Sequence, residues 1–195
     1  MINLENDLEN DDIVNAFRET RRLCVQISQL LLSAERLLKK HNWSNATNQN
    51  YGLNDLSWSV EKPTQWLPIY AFRFFKNTTN SKILAFVSVL MDDHFDKEYT
   101  LKESVVTAGF FEYNQDVKEN WEYKYARYYG YLAAIPENNL RPDQQPFRFV
   151  NDKLPDAIKG DFVYGKIFAV RLSDMKDEKA LETKVIKPLL NMLTN

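Results

Sequence analysis

The strongest constraint in this sequence is an apolar stripe close to its first residue. From Ile13 to Leu38, apolar side chains recur every three or four residues, a spacing that places them on one face of an α-helix. Acidic residues precede the stretch and basic residues end it, which suits the helix dipole, and either Asp11 or Asp12 can serve as the N-cap. The sequence therefore predicts one long amphipathic helix whose apolar face must be covered.

Two kinds of cover fit this helix. Its apolar positions resemble the heptad seam of a coiled coil, which would make a second helix the partner. However, Phe17, Cys24 and Leu31 widen the stripe beyond the strict seam of two positions per heptad. This width favours packing against a sheet of the same chain, and the coiled-coil interpretation stays open as the alternative.

After the helix, the pattern changes to stretches rich in aromatic and β-branched residues, which are typical of strands. Four such stretches lie at residues 66–75, 82–91, 104–113 and 161–173. The second is apolar on both faces and predicts a central strand, and polar residues 76–81 predict a hairpin before it. Gly109 suggests a β-bulge in the third stretch. Residues 176–193 predict a closing helix that Pro188 kinks or splits.

These elements predict an α+β fold, in which a mainly antiparallel sheet of about five strands is packed by a long N-terminal helix and a C-terminal helix. We expect residues 1–195 to form a single domain, because no linker composition divides the chain. Residues 1–12 are expected to be an acidic N-terminal tail, 41–57 a long Asn-rich loop, and 136–160 a Pro-rich crossover. The tyrosine-rich segment 120–136 fits either a helix or a strand.

Composition narrows the class of function. The 195 residues carry a formal net charge of −2, so no broad basic surface is available for nucleic acid. Cys24 is the single cysteine and cannot form an intramolecular disulfide, which favours a reducing compartment. The longest apolar run, residues 83–91, is too short to span a bilayer. We therefore expect a cytoplasmic protein of bacterial type that does not insert into a membrane.

Common catalytic motifs are incomplete in this sequence. Its two histidines are His41 and His94, and no G-x-S-x-G motif supplies a nucleophile beside them. Residues 160–167, GDFVYGKI, match part of a phosphate-binding P-loop but lack its final Ser or Thr, and a strand pattern follows where the motif needs a helix. These motifs therefore predict no cofactor.

One cluster of acidic residues supports a metal site as an alternative. Asp92 and Asp93 follow the predicted central strand, and Glu112 lies on the next strand. Such carboxylates can hold Mg²⁺ or Mn²⁺ for phosphoryl chemistry. A helix followed by three strands that bear acids resembles the PD-(D/E)xK nucleases, a resemblance that implies a metal-dependent nuclease. Asn114 stands where that family has its lysine, and the sequence EYK at residues 122–124 lies outside the strand.

Aromatic residues are the second feature of the sequence that bears on function. The sequence has 12 Phe, 10 Tyr and 4 Trp, and a sheet with aromatic residues on both faces needs cover on both. A face without a helix of this chain would be covered by a partner, and aromatic and Arg side chains are enriched at the anchors of interfaces. The candidate binding residues are Trp66, Tyr70, Arg73, Tyr128 and Tyr129.

From these features we predict a non-enzymatic binding protein of the inhibitor, immunity or adaptor type, which uses an aromatic-rich sheet or helix surface. Its expected partner is another protein rather than nucleic acid or a membrane, and a homo-oligomer is compatible with the sequence. The first alternative is a metal-dependent hydrolase or nuclease that uses Asp92, Asp93 and Glu112. The second alternative is a small-ligand sensor with an aromatic pocket.

Overall fold

The structure is a computed structural model that describes residues 10–46, 60–61, 67–68, 70–77, 79–91, 103–114, 116, 142, 146–150 and 162–194. Within these residues, helix α1 (Asn10–Lys39) is followed by six strands, namely β1 (Trp43–Asn45), β2 (Tyr70–Asn77), β3 (Ile83–Leu90), β4 (Val105–Tyr113), β5 (Phe147–Val150) and β6 (Phe162–Arg171). After a 3₁₀ turn (Leu172–Asp174), the C-terminal helix consists of α2 (Glu178–Leu181), a π-helical turn (Glu182–Ile186) and α3 (Lys187–Thr194). The predicted α+β fold is confirmed.

The six described strands form one antiparallel sheet in the order β1-β2-β3-β4-β6-β5. Because β3 lies between β2 and β4, the prediction of a central strand is confirmed. The predicted hairpin between β2 and β3 is also present. At its turn, the side-chain Oδ1 of Asn77 accepts hydrogen bonds from the backbone N of Thr79 at 2.8 Å and from its Oγ1 at 2.7 Å. Asparagine is favoured at turns for this reason.

The sheet face that carries the helices holds one hydrophobic core. Its strand residues are Ala71, Phe75, Ala85, Val87, Val89, Val106, Ala108, Phe110 and Phe168. Its helix residues are Ile27, Leu31, Ala34, Leu37, Leu38, Leu181, Val185, Ile186 and Leu189. None of these side chains is more than 8% exposed, and burial stabilises a fold by about 25 cal/mol per Å² of apolar surface. The second half of α1 and the C-terminal helix therefore share this core.

The C-terminal helix changes its hydrogen-bond pattern just before Pro188. Proline has no N–H to donate, and its ring would clash with the carbonyl of Lys184 in a regular α-helix. The preceding turn, Glu182–Ile186, is π-helical, and the backbone N–H of Lys187 donates to the oxygen of Glu182. This wider turn separates α2 from α3, in agreement with the prediction that Pro188 splits the helix.

The prediction of a β-bulge at Gly109 is wrong. The register between β4 and β6 shifts between Glu112 and Tyr113 instead. Gly109 lies opposite Phe86 on β3, and a Cβ atom at this position would lie 2.9 Å from Cζ of the Phe86 ring and would also meet the backbone of β6. Glycine is therefore present because the ring and the neighbouring strand approach its backbone closely.

Three further local predictions differ from the structure. β1 lies in the stretch 41–57 that we expected to be a loop, and β5 lies in the stretch 136–160 that we expected to be an irregular crossover. Both are edge strands of three or four residues, too short to show the alternation that identifies a strand. Asp11 and Asp12 are not N-caps, because α1 begins at Asn10 and includes both in its first turn.

Candidate functional site

Of the three predicted metal ligands, the structure describes Glu112. This residue lies on β4 opposite Ile83, the first residue of β3, whereas Asp92 and Asp93 follow Leu90 at the other end of that strand. The two ends of β3 are about 24 Å apart at 3.4 Å per residue. Asp92 and Asp93 lie outside the described residues, so the shared metal site stays a prediction. In the antiparallel register, Glu112 lies at one end of β3, and the strand end that precedes Asp92 lies at the other.

Glu112 has a partner of its own on β6. Glu112 lies opposite Tyr164 in the register between β4 and β6, and the guanidinium Cζ of Arg148 lies 4.9 Å from the centre of the Tyr164 ring. Burial raises the pKa of Tyr164, the Glu112 carboxylate raises it further, and the charge of Arg148 opposes both effects. These effects together favour the neutral form of the Tyr164 phenol. Within the part of the chain that the structure describes, no cluster of His, Cys, Asp or Glu has the three members that a metal site needs.

The predicted binding residues occupy different environments. Tyr70 is 4% exposed, and its ring centre lies 6.0 Å from that of Phe72. Nη1 of Arg73 lies 3.6 Å from Oε2 of Glu35 on α1, so this arginine pairs with the helix that covers its strand. The other predicted binding residues, Trp66, Tyr128 and Tyr129, lie outside the described residues. The two described residues therefore contribute to the fold of the chain itself.

The sheet face opposite the helices is an aromatic layer. Phe72, Phe74, Phe86 and Phe111 are each at most 1% exposed. Successive ring centres in this series lie 5.1 to 6.3 Å apart, within the range of favourable aromatic pairs. This burial is already complete within the single chain. These four rings therefore offer no open apolar area to a partner.

Two buried hydroxyl groups interrupt the aromatic layer. Ser88 on β3 and Thr107 on β4 are directly opposite each other and are both 0% exposed. Neither Oγ of Ser88 nor Oγ1 of Thr107 has a hydrogen-bond partner in the described structure. Burying such a group without a partner costs about 1–3 kcal/mol. The small-ligand alternative stays a prediction, because a ligand site also needs a pocket beside such polar groups.

Helix α1 divides into two parts of different exposure. In residues 12–26, which we call the exposed half, no residue is buried, and Ile13 is 40%, Val14 46% and Phe17 66% exposed. In residues 27–39, which we call the packed half, the buried side chains are Ile27, Leu31, Ala34, Leu37 and Leu38. The apolar stripe therefore continues beyond the region in which the sheet covers it.

Charges are ordered along the first half of the helix. Residues 10–17 contain two acids and no base, whereas residues 18–26 contain three arginines and one glutamate. Nη1 of Arg22 lies 2.5 Å from Oε1 of Glu19, and both side chains are more than half exposed. The exposed half thus combines an apolar stripe with an acidic start and a basic end.

A groove of about 500 Å³ adjoins the exposed half. Its apolar lining on α1 is Leu23, Ile27 and Leu30, and the lining on the opposite wall is Leu172, Met175 and Leu181. Leu23 is 37% exposed and belongs to the exposed half as well. Apolar surface is therefore continuous from the exposed half into the groove.

Sequence reasoning missed that Ile13 and Phe17 are exposed, because it favoured packing of the whole stripe on the sheet. Helix length was the signal that could have identified them. A helix of 30 residues is about 45 Å long, whereas a strand of ten residues extends only about 34 Å. A helix longer than the strands beneath it has turns that the sheet does not cover.

Among the described helices, none combines the length and the apolar content that crossing a bilayer requires. Comparison with known proteins finds no matching family model, no similar curated protein and no similar solved structure. The function must therefore be argued from the surfaces of this chain.

Proposed function

We propose that this chain is a non-enzymatic cytoplasmic binding protein, of the inhibitor, immunity or adaptor type, and that it binds another protein through the exposed half of α1. The observation that carries this proposal is the exposure of Phe17, at 66%, beside Ile13 and Val14 on the same turn of the helix. Single exposed apolar residues are normal on protein surfaces. Ile13 and Phe17 lie on a stripe that continues a buried core, and exposed apolar residues arranged in this way favour an interaction site.

The chemistry of this surface suits a helical partner. Phe17 lies one turn after Ile13, so the two side chains are neighbours on the helix surface. Amphipathic helices bind partners through apolar residues at this spacing, and large aromatic side chains often contribute most of the binding energy. The expected partner therefore presents an apolar helix face or groove, with a basic region opposite Asp12 and an acidic region opposite Arg21.

Affinity capture with matched variants tests this proposal. Phe17→Glu places a charge in the exposed half, and Leu32→Glu places the same charge within the packed half, at a side chain that is 48% exposed on the side away from the core. Both variants should fold, because neither side chain contributes to the core, and thermal melting checks this expectation. In a lysate of the source cells, the wild-type chain and Leu32→Glu should retain one partner protein in stoichiometric amount, and Phe17→Glu should lose it.

Two results would contradict the proposal. The first is that all three immobilised proteins retain the same set of proteins, because the exposed half would then play no part in binding. The second is that no stoichiometric partner, including the chain itself, is retained under any growth condition.

A further inference from the structure

The exposed half of α1 has the spacing of a coiled-coil seam. Ile13, Phe17, Thr20 and Cys24 follow one another at intervals of four, three and four residues, and Ile27 follows after three more. The packed half continues the same series and uses it against the sheet. In the exposed half, these positions are either exposed or only partly covered. The apolar spacing therefore continues through the exposed half, where the sheet no longer covers it.

We propose that the exposed half of α1 pairs with the exposed half of a second copy of this chain in antiparallel orientation. This inference rests on the proposed function, because it names a partner for the same surface. In this pairing, Ile13 faces Cys24 of the partner subunit, and Phe17 faces Thr20 of the partner subunit. Each phenyl ring then lies beside a small side chain, a combination that fills the space between two helices.

The order of charges selects the antiparallel orientation. Residues 10–17 carry two acids, and residues 18–26 carry three arginines and one glutamate. Antiparallel helices place the acidic part of each copy beside the basic part of the other, whereas parallel helices place like charges together. The charges therefore favour the second copy with its helix running in the opposite direction.

The position of the packed half agrees with this orientation. The core contacts of α1 begin at Ile27, which lies beyond the paired residues 13–24. Antiparallel pairing therefore places the two described sheets at opposite ends of the helix pair. Parallel pairing would bring both sheets to the same end of the pair.

The paired segment is short, so we expect a weak dimer. Residues 12–26 span about 22 Å of helix, and a contact of this length buries less than the roughly 1,200 Å² of a stable interface. The dimer should therefore form and dissociate with protein concentration. It should also weaken in high salt, because its orientation depends on charges that face water.

Sedimentation equilibrium over a wide concentration range tests the pairing. The weight-average mass of the wild-type chain and of Leu32→Glu should rise from 23.0 kDa towards twice this value. Phe17→Glu should remain at 23.0 kDa at every concentration. A wild-type chain that stays monomeric at all concentrations overturns the inference, and so does a dimer that Phe17→Glu leaves intact.

Disulfide trapping tests the orientation. Cys24 is the single cysteine of the wild-type chain, and a parallel pair would place it against Cys24 of the partner subunit. In the antiparallel pair, the wild-type chain should not cross-link under mild oxidation, whereas Ile13→Cys should cross-link to a dimer. Positions 13 and 24 are about 16 Å apart within one helix, which is too far for an intramolecular disulfide. Efficient cross-linking of the wild-type chain would overturn the antiparallel orientation.

Failure of this inference and failure of the proposed function give different results. A monomeric wild-type chain that still retains a different protein, with loss in Phe17→Glu, overturns the dimer and leaves the binding function in place. A monomeric chain that retains no protein through the exposed half overturns both.

Discussion

The two halves of α1 have the same apolar spacing and opposite environments. In the packed half, Ala34 and Leu38 are fully buried in the core, and in the exposed half Phe17 is 66% exposed. The larger side chain is thus the one that remains in water. An amphipathic pattern establishes that a helix has an apolar face, but it does not establish what covers that face.

The boundary between the halves has a geometric cause. Strands β2, β3 and β4 contain eight or nine residues, which corresponds to roughly 27–31 Å. α1 is about 45 Å long because it contains 30 residues. Four of the five buried residues of α1 lie between Leu31 and Leu38, so the helix reaches the sheet only with its last turns. The comparison of the halves can therefore be tested with matched substitutions.

Truncation of a large apolar side chain should give the largest difference between the halves. Leu38→Ala should lower the free energy of unfolding by about 2–5 kcal/mol, because it leaves a cavity in the core. Phe17→Ala should change it by no more than about 0.5 kcal/mol, because the ring is mainly in water. Urea denaturation measures both values. Similar losses for the two variants would show that the exposed half is covered in solution.

Substitution by glycine should also destabilise the protein more in the packed half than in the exposed half, but by a smaller amount. Ala34→Gly should lower the free energy of unfolding by about 1–2 kcal/mol. The substitution removes a buried methyl group, and glycine also loses more backbone entropy on folding than alanine does. Ala16→Gly lies in the exposed half, where local fraying limits its effect on global unfolding. The same denaturation experiment measures the pair. An equal loss at Ala16 would mean that the whole of α1 unfolds together with the core.

A buried group does not always stabilise the fold, and Thr107 is an example that can be compared with Ala34. This residue is as fully buried as Ala34, but its hydroxyl has no hydrogen-bond partner in the described structure. Thr107→Val keeps the shape and removes the polar atom, so it should raise the free energy of unfolding by about 1 kcal/mol. Thermal and urea unfolding measure the change. A loss of stability would reveal a partner for this hydroxyl, such as a bound small ligand.

Ion pairs should show the smallest difference between the halves. Glu35 pairs with Arg73 between α1 and the sheet at 3.6 Å, and Glu19 pairs with Arg22 within the exposed half. Glu35→Gln should cost about 0.2–1 kcal/mol at low ionic strength and less in high salt. Glu19→Gln should not change global stability measurably, because Glu19 and its partner Arg22 both lie on the exposed half. A larger cost at Glu19 than at Glu35 would contradict the division of α1.

The elements of the fold followed from the sequence more closely than the site did. Periodicity located α1 and β3, and the apolar character of β3 on both faces predicted its central position. The exposure of Tyr70 and Phe17 could not be predicted from the sequence. Tyr70 is buried and Phe17 is exposed because of the length and placement of the elements that carry them. The separation of Glu112 from Leu90 was available from sequence, since an antiparallel connection joins only one end of each strand.

Hydrogen exchange along α1 tests the central claim most directly. In dilute protein, backbone amides of residues 27–38 should be protected by the core, and amides of residues 14–24 should exchange much faster. As the protein is concentrated or its partner is added, protection should increase in residues 14–24 and stay unchanged in residues 27–38. If residues 14–24 are as strongly protected as residues 27–38 in dilute protein, the exposed half is already covered and is not a binding surface.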